Sequence, residues 1–422
     1  MTLEGSGLCK DSLFAVSPFC ILTPDSFFPP TAALFSSRTN WDFRSSDLFA
    51  LLQEKRGRRE EIIDLTEANP TRCGFDYDQP PVLQHLATHE SLTYAPDPKG
   101  LRSARLAVVE FYRKQGITID PEHLLLTAST SEAYTFLFRL LCNVGDSVLL
   151  PKPSYPLFDY LCELNDVTPT HYHLTYDGEW HLDLPSLEQA LSRETRALVI
   201  VHPNNPTGSF LKIPERETVT RLAGRQNLVL IVDEVFNLFG FGADARRAPS
   251  FAGNEHALTF TLNGLSKLLG LPQMKLAWLV VSGPVAKRDE AIKRLEIIAD
   301  TFLSVGTPVQ HALPSLLRDA SVVTEQIRSR VQNNYIQVAQ IVAGSSLSAF
   351  HCEGGWSAML QLPGTKADES WALELLKNQN VLVHPGHLFD FDQRSSIVLS
   401  LLPKVEIFRE GLRKIAEATQ MP

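Results

Sequence analysis

ALVIVHPNNPTG (197–208), LVLIVDEVF (228–236) and LTFTLNGLSK (258–267) share one layout: a short run of apolar and β-branched residues, then a polar turn. Such a run has no wet face, so it predicts a strand buried on both sides, as a parallel sheet requires. Three more runs have this texture: Leu124–Thr127, Ser147–Leu150 and Leu276–Val281. Segments with helical spacing lie between them, among them Ser131–Cys142 and Pro214–Arg225. Helices alternating with buried strands predict an α/β fold built on a mostly parallel, wound sheet.

Outside this middle third the texture changes. Residues 1–40 are rich in Ser, Thr, Pro and Phe, and Leu13–Leu22 is apolar but interrupted by Pro18. This stretch is expected to be a poorly ordered extension, not a signal peptide. Trp41–Arg59 has helical spacing, with Leu48, Leu51 and Leu52 on one face and Lys55, Arg56, Arg58 and Arg59 near the end. Positive charge there suits the helix dipole. A short strand is expected at Ile62–Leu65. A long helical pattern runs from Pro308 to about Val342. After it come an apolar stretch Trp356–Leu362, a helix Ser370–Gln379, strands Val381–His384 and Ile397–Leu401, and a helix Val405–Ala418. This grouping predicts a smaller α+β domain.

Composition narrows the function classes. With 422 residues, 44% hydrophobic and 21% charged, the chain can form two or three globular domains. Its net charge of −9 argues against a nucleic-acid or anionic-membrane surface as its main business. No apolar stretch reaches the length of a membrane span. The six cysteines include no Cys-x-x-Cys pair and no nearby histidine cluster, which predicts thiols in a reducing, cytoplasmic compartment and no metal site.

In an open α/β sheet, ligands sit beyond the carboxyl ends of the strands. The residues just past each apolar run are therefore informative: Ala128-Ser129-Thr130-Ser131, then His202 to Gly208, then Asp233-Glu234, then Asn263-Gly264-Leu265-Ser266-Lys267. One edge would gather a hydroxyl-rich helix start, an amide, a carboxylate and a lysine. Singly, each has a plain structural reading: a turn, a cap or a surface lysine. Together and in this order they point to a site.

These segments resemble the class I/II aminotransferases, the fold-type I pyridoxal-phosphate (PLP) enzymes related to aspartate aminotransferase. The resemblance runs from about Phe35 to the C-terminus. It rests on Tyr94-Ala95-Pro96-Asp97-Pro98-Lys99-Gly100-Leu101-Arg102, Thr127–Ala133, Pro153-Ser154-Tyr155-Pro156, Asn204-Asn205-Pro206-Thr207-Gly208, Asp233-Glu234, Ser266-Lys267 with Gly270-Leu271-Pro272, and Val383-His384-Pro385-Gly386.

The resemblance implies roles. Lys267 holds PLP as a Schiff base and moves the substrate proton. Asp233 pairs with the ring nitrogen. Asn205 donates to the ring oxygen, Tyr155 stacks on the ring, and Thr130 and Ser131 open a helix onto the phosphate. Tyr94 reaches the phosphate of a neighbouring subunit, which implies a homodimer. The implied division is an extension at 1–39, a small domain from 40–89 and 311–422, and a large PLP-binding domain at 90–310.

Four positions depart from the family pattern. Phe236 stands where a tyrosine is usual, Gly264 where a serine often helps the phosphate, and Lys275 where an arginine usually binds it. Ser266 can compensate in part. Val398 stands where an arginine usually fixes the substrate carboxylate. Arg394, Asn69 and His387 are the candidates for substrate contact in its place, and each also reads as a turn residue. The expected reaction is transfer of an amino group from an amino acid or amine to a 2-oxo acid or aldehyde. The alternatives are a decarboxylase or lyase on the same cofactor, and a non-catalytic binding protein of this fold.

Overall fold

The computed structural model describes residues 34–41, 46–78, 82–391 and 395–420. The large sheet has eight strands: β1 (Leu124–Thr127), β2 (Ser147–Lys152), β3 (Thr168–Tyr176), β4 (Trp180–Leu182), β5 (Thr195–Val201), β6 (Val229–Asp233), β7 (Thr259–Gly264) and β8 (Ala277–Ser282). Their order is β1-β8-β7-β6-β5-β2-β3-β4. β7, β6, β5, β2 and β3 pair in parallel. β8 runs antiparallel between β1 and β7, and β4 runs antiparallel to β3. The fold class expected from the apolar runs is therefore present, with antiparallel pairs at both ends of the sheet.

Why those runs are continuous is visible in the core. Val148, Leu150, Val199, Val201, Ile231, Phe260 and Leu262 pack with the helix Thr130–Leu141 on one face. Leu149, Leu198, Ile200, Leu230 and Val232 pack with the helix Ile213–Gln226 on the other. Alternate residues face opposite sides, and both sides are covered. The hairpin β3–β4 was not legible as an apolar run. β3 lies towards the edge of the sheet and reads Thr-Pro-Thr-His-Tyr-His-Leu-Thr-Tyr, with most side chains partly or fully wet.

The second sheet comprises β9 (Ser348–Ala349), β10 (Ser357–Gln361), β11 (His384–Pro385) and β12 (Ser396–Ser400), in the order β9-β10-β12-β11, all antiparallel. The expected strand Val381–His384 is split: Val381–Leu382 pairs in parallel with Ile63–Asp64, and His384–Pro385 joins this sheet. One core combines Leu65, Cys73 and Phe75 with Val331, Trp371, Leu399 and Phe408. The segment 65–75 thus packs with the C-terminal third, while Val82 packs with Val108, Leu126 and Trp278 beside the large sheet. The helical pattern after Pro308 is two helices, Thr307–Arg318 and Ala320–Val342, and the helix expected from Trp41 begins at Asp47.

Most of the expected extension lies outside the described residues. Its end is docked: the Arg38 guanidinium donates to Asp166 at 2.7 Å and the Trp41 indole donates to Glu163 at 2.8 Å. Among the described residues, no helix is long and apolar enough to cross a membrane.

Candidate active site

The site residues come from the carboxyl ends of β1, β2, β5, β6 and β7, which share one edge because β2, β5, β6 and β7 pair in parallel and β1 runs the same way across the antiparallel β8. Asp233 is the last residue of β6, paired with Val201 and Leu262. Its side chain is buried, with 8% of its surface exposed. One carboxylate oxygen accepts from the Val235 N–H at 3.1 Å and the other from the Tyr134 hydroxyl at 3.3 Å. Burial pushes its pKa up to about 6, against those two donors and the positive charge of Lys267.

Lys267 lies on the short helix Leu265–Leu268 that follows β7. The loop after it is pinned from outside. The Tyr77 hydroxyl donates to the Gly270 carbonyl at 2.7 Å, and the Thr324 hydroxyl donates to the Leu268 carbonyl at 2.7 Å. The Lys267 ammonium nitrogen lies 5.2 Å from the Trp356 ring centre and 5.7 Å from that of Phe236. Burial lowers its pKa, opposed by Asp233. Among the described residues, no carboxylate forms an ion pair with it, so a half-buried amine stands free in an apolar corner.

The two asparagines of the Asn-Asn-Pro-Thr-Gly turn divide the work. Asn204 is buried and holds the turn: its amide donates to the Pro153 carbonyl, and its oxygen accepts from the Thr207 N–H and hydroxyl. Asn205 is half-buried, and its oxygen accepts from the Ser357 hydroxyl at 3.1 Å. Thr130 and Ser131 open the helix Thr130–Leu141, capped by the Ser129 side chain on the Glu132 N–H. The first N–H groups of a helix have no carbonyl of their own, so this 12-residue helix offers donors and positive potential to an anion. Tyr155 exposes 41% of its surface at the β2 end, edge-on to Phe158.

The structure also accounts for the departures. Phe236 is buried edge-on against Trp356, with ring centres 5.4 Å apart, and has no hydroxyl to offer. At Gly264, a Cβ would lie 2.7 Å from the Ala277 Cβ, so the β7–β8 pairing excludes a serine there. Ser266 is half-buried, and Lys275 is exposed at the end of the turn Pro272–Met274. Tyr94 is 76% exposed.

Of the substrate candidates, Asn69 caps its own turn, its oxygen accepting from the Thr71 N–H and hydroxyl. His387 is tied to Asp368, which accepts from its backbone N–H at 2.7 Å and lies 3.0 Å from its Nδ1. Arg394 lies outside the described residues. Val398 is buried on β12, opposite Met359 and His384, in a cluster with Trp180, Phe350, Phe389 and Phe391. That position is an apolar wall.

Sequence reasoning missed Tyr134, Trp356 and Ser357, all of which touch the residues above. The signal for the last two was Gly354-Gly355 directly before a strand, a mark of close backbone approach. Among the described residues, one cluster with metal-ligand chemistry, Asp159, His171 and Asp390, lies at the β2–β3 side, where the Lys152 ammonium already stands 3.5 Å from Asp390.

The donor set fits PLP. A buried carboxylate with no cation paired to it among the described residues, an amine with a lowered pKa, a free helix start and an exposed aromatic face match the cofactor's ring nitrogen, aldehyde, phosphate and ring.

The family model "Aminotransferase class I and II" matches residues 60–407. The glutamate-pyruvate aminotransferase AlaA of Haemophilus influenzae is 28% identical over 382 residues, 87% of this chain and 92% of that one. An alanine aminotransferase of Mycobacterium bovis is 28% identical over 365 residues, 83% of each chain. Among solved structures, an alanine aminotransferase from Pyrococcus furiosus superposes with a TM-score of 0.81 at 24% identity, covering 89% of this chain and 96% of that one. A Thermus thermophilus aspartate aminotransferase variant does so with a TM-score of 0.78 at 21% identity, covering 91% and 99%.

Proposed function

This chain belongs to the class I and II aminotransferases and is a PLP-dependent enzyme of that family, and we propose that Lys267 carries its cofactor and moves its substrate proton. The observation that supports this assignment is the free Lys267 amine, enclosed by Trp356 and Phe236 with Asp233 as the nearby acid.

When bound, PLP supplies an electron sink for the pair left behind as the substrate Cα–H bond breaks. The protein supplies the rest. Lys267 takes the Cα proton and returns it on the other side of the transfer, and burial lowers its pKa in the direction that favours the neutral amine this step needs. Asp233 holds a proton on the ring nitrogen. Thr130 and Ser131 bind the phosphate with backbone N–H groups, helped by Ser266 and the point charge of Lys275. Tyr155 covers one ring face and Asn205 binds the ring oxygen. Trp356 and Phe236 keep water from the Lys267 amine.

The donor and acceptor are an amino acid and an oxo acid. Two relatives are named for alanine or glutamate-pyruvate transfer, so alanine and glutamate are the donors to test first. Val398 supports a further reading, that the substrate carboxylate is held by something other than an arginine at that position. Asn69 and His387 are the described candidates for this task.

We also infer a homodimer. Tyr94, Leu92 and Leu83 are exposed by 76%, 81% and 75%, and a partner would cover them while Tyr94 reaches its phosphate site. The free thiols of Cys73, Cys142, Cys162 and Cys352 support a cytoplasmic location. The shared core of Leu65, Phe75, Leu399 and Phe408 supports joining the segment around residues 65–75 to the C-terminal part in one small domain, whereas Val82 and Leu313, near the expected boundaries at 89 and 311, pack with the large sheet.

The test is the visible spectrum of the purified protein with added PLP, before and after borohydride, alongside Lys267→Ala. A band that borohydride bleaches and the variant lacks, and that alanine or glutamate converts to the amine form of the cofactor, is the expected result. A band that persists in Lys267→Ala, or no band at all, would remove Lys267 from the reaction.

A further inference from the structure

We propose that Ser357 is a positioning residue for the reaction: its hydroxyl fixes the Asn205 amide so that the NH2 group, not the oxygen, faces the cofactor's ring oxygen. The proposal rests on the assignment of Asn205 to the ring oxygen. Three observations carry it.

First, an asparagine amide has two faces of similar shape and opposite hydrogen-bond character. Left alone, it can present either one. Here the Ser357 hydroxyl donates to the Asn205 oxygen at 3.1 Å, which occupies that oxygen and leaves the NH2 group for the cofactor's ring oxygen, an acceptor that only the NH2 face can serve. The adjacent Asn204 shows the contrast, because its own oxygen and amide are both used up within the turn and at Pro153.

Second, the site has no substitute donor from residue 236. Phe236 carries no hydroxyl and is packed against Trp356. The Asn205 NH2 group therefore carries the contact to the ring oxygen, and its orientation matters more than it would beside a phenol.

Third, Ser357 is itself held rigidly. It is the first residue of β10, paired with Ser400, and the Ser400 hydroxyl is fixed on the Glu67 carbonyl at 2.6 Å. Immediately before it runs the strap Cys352–Trp356. Glu353 in that strap is 4% exposed, and its carboxylate accepts from the Lys212 ammonium at 2.5 Å and from the Phe210 N–H at 3.1 Å. Its carbonyl accepts from the Phe241 N–H at 2.7 Å, and the Gly355 N–H donates to the Phe239 carbonyl at 2.9 Å. The strap is anchored beside the turn that carries Asn205, so donor and acceptor are set by one scaffold.

The consequence is a measurable titration. A donor at the ring oxygen stabilises that oxygen as an anion, most of all when no proton is shared with it from the lysine side. Losing the donor raises the pH at which the bound cofactor's visible band changes. The experiment titrates that band in holoenzyme of wild type, Ser357→Ala, Asn205→Ala and the double variant, and measures the PLP dissociation constant of each.

The expected result is a midpoint raised by about 0.5–1 pH unit in Ser357→Ala, the effect of one modest hydrogen bond. Asn205→Ala is expected to rise at least as far, and the double variant to match Asn205→Ala, because Ser357 acts only through Asn205. A Ser357→Ala midpoint equal to wild type while Asn205→Ala shifts would overturn the proposal and leave the site assignment standing. A Ser357→Ala shift that adds in full to that of Asn205→Ala would also overturn it. An unshifted Asn205→Ala midpoint would remove Asn205 from the ring oxygen, and both readings would fall.

Discussion

Replacing Gly208 with alanine separates a turn from a structural junction. Gly208 ends the Asn-Pro-Thr-Gly turn at φ +70°, and a Cβ there would lie 2.2 Å from the Cys352 sulfur and 2.3 Å from the Gly354 carbonyl oxygen. The substitution carries two costs. A left-handed alanine costs about 1–2 kcal/mol wherever it occurs. The overlap adds about 1–3 kcal/mol, because one of the atoms met is backbone and cannot rotate away. Gly116 provides the control, at φ +79° with nothing within 4 Å of the added Cβ. Gly208→Ala is therefore expected to lose about 1–3 kcal/mol more than Gly116→Ala in urea unfolding of the apoprotein by tryptophan fluorescence. It should also weaken PLP binding, since the strap it displaces carries Trp356 and Ser357, and Gly116→Ala should not. Equal urea midpoints for the two variants, with PLP affinity unchanged in both, would refute the reasoning.

Glu353→Ala leaves the Lys212 ammonium buried without its carboxylate partner, and is expected to cost about 3–5 kcal/mol in the same urea assay; a loss under about 1 kcal/mol would mean the pair is open to water. Asp233 has a folded pKa raised from the ordinary carboxylate value to about 6, so its neutral form is the one that folding favours. That contribution is fully present below the unfolded value, near pH 4, and is lost as pH rises through about 6. Asp233→Asn should accordingly make the apoprotein more stable than wild type at about pH 8 but not at about pH 4, while abolishing amino transfer; thermal unfolding at the two pH values checks the first part. PLP binding by the wild type should weaken by up to about tenfold per pH unit below about 6, as that carboxylate takes up its proton, and fluorescence titration with PLP at about pH 5 and 7.5 measures it. Val398→Arg places a cation among Trp180, Phe350, Phe389 and Phe391, and should destabilise the protein in urea without raising kcat/KM for alanine.

The sequence made the centre of the molecule legible and blurred its margins, for a physical reason. β5, β6 and β7 are covered on both faces, so their apolar runs are unbroken and their ends could be read to within two residues. The polar residues just past those ends, Asn205, Asp233 and Lys267, then fall at one edge as a consequence of parallel pairing. β3 lies near the edge and is only partly covered, so it carries a mixed pattern that no apolar run reveals. The second layer of the site was hidden for a different reason. Tyr134 sits in the second turn of the helix Thr130–Leu141 and meets Asp233 from 99 positions away, and Ser357 meets Asn205 from 152 away. Contacts of that separation follow from how the elements pack, which local pattern does not encode.

The strap Cys352–Trp356 is anchored by a buried charge pair, although apolar residues of similar size often give more stability. The reason lies in the two residues next to that anchor. Gly354 is there because the chain passes against the Phe239 carbonyl and the Gly240 Cα, where a Cβ would lie 2.6 and 2.9 Å away, and Gly355 because the backbone turns at φ +86°. Two adjacent glycines give the strap little side-chain packing and much freedom to slide. An apolar anchor would tolerate such sliding, since apolar contacts have no preferred direction. The Glu353 carboxylate does not: it must meet the Phe210 N–H and the Lys212 ammonium together, while its carbonyl meets Phe241 and Arg247. A shift of one residue would break all of these at once. The clamp therefore fixes register, and register is what brings Trp356 to the Lys267 amine and Ser357 to Asn205 from a single point of attachment.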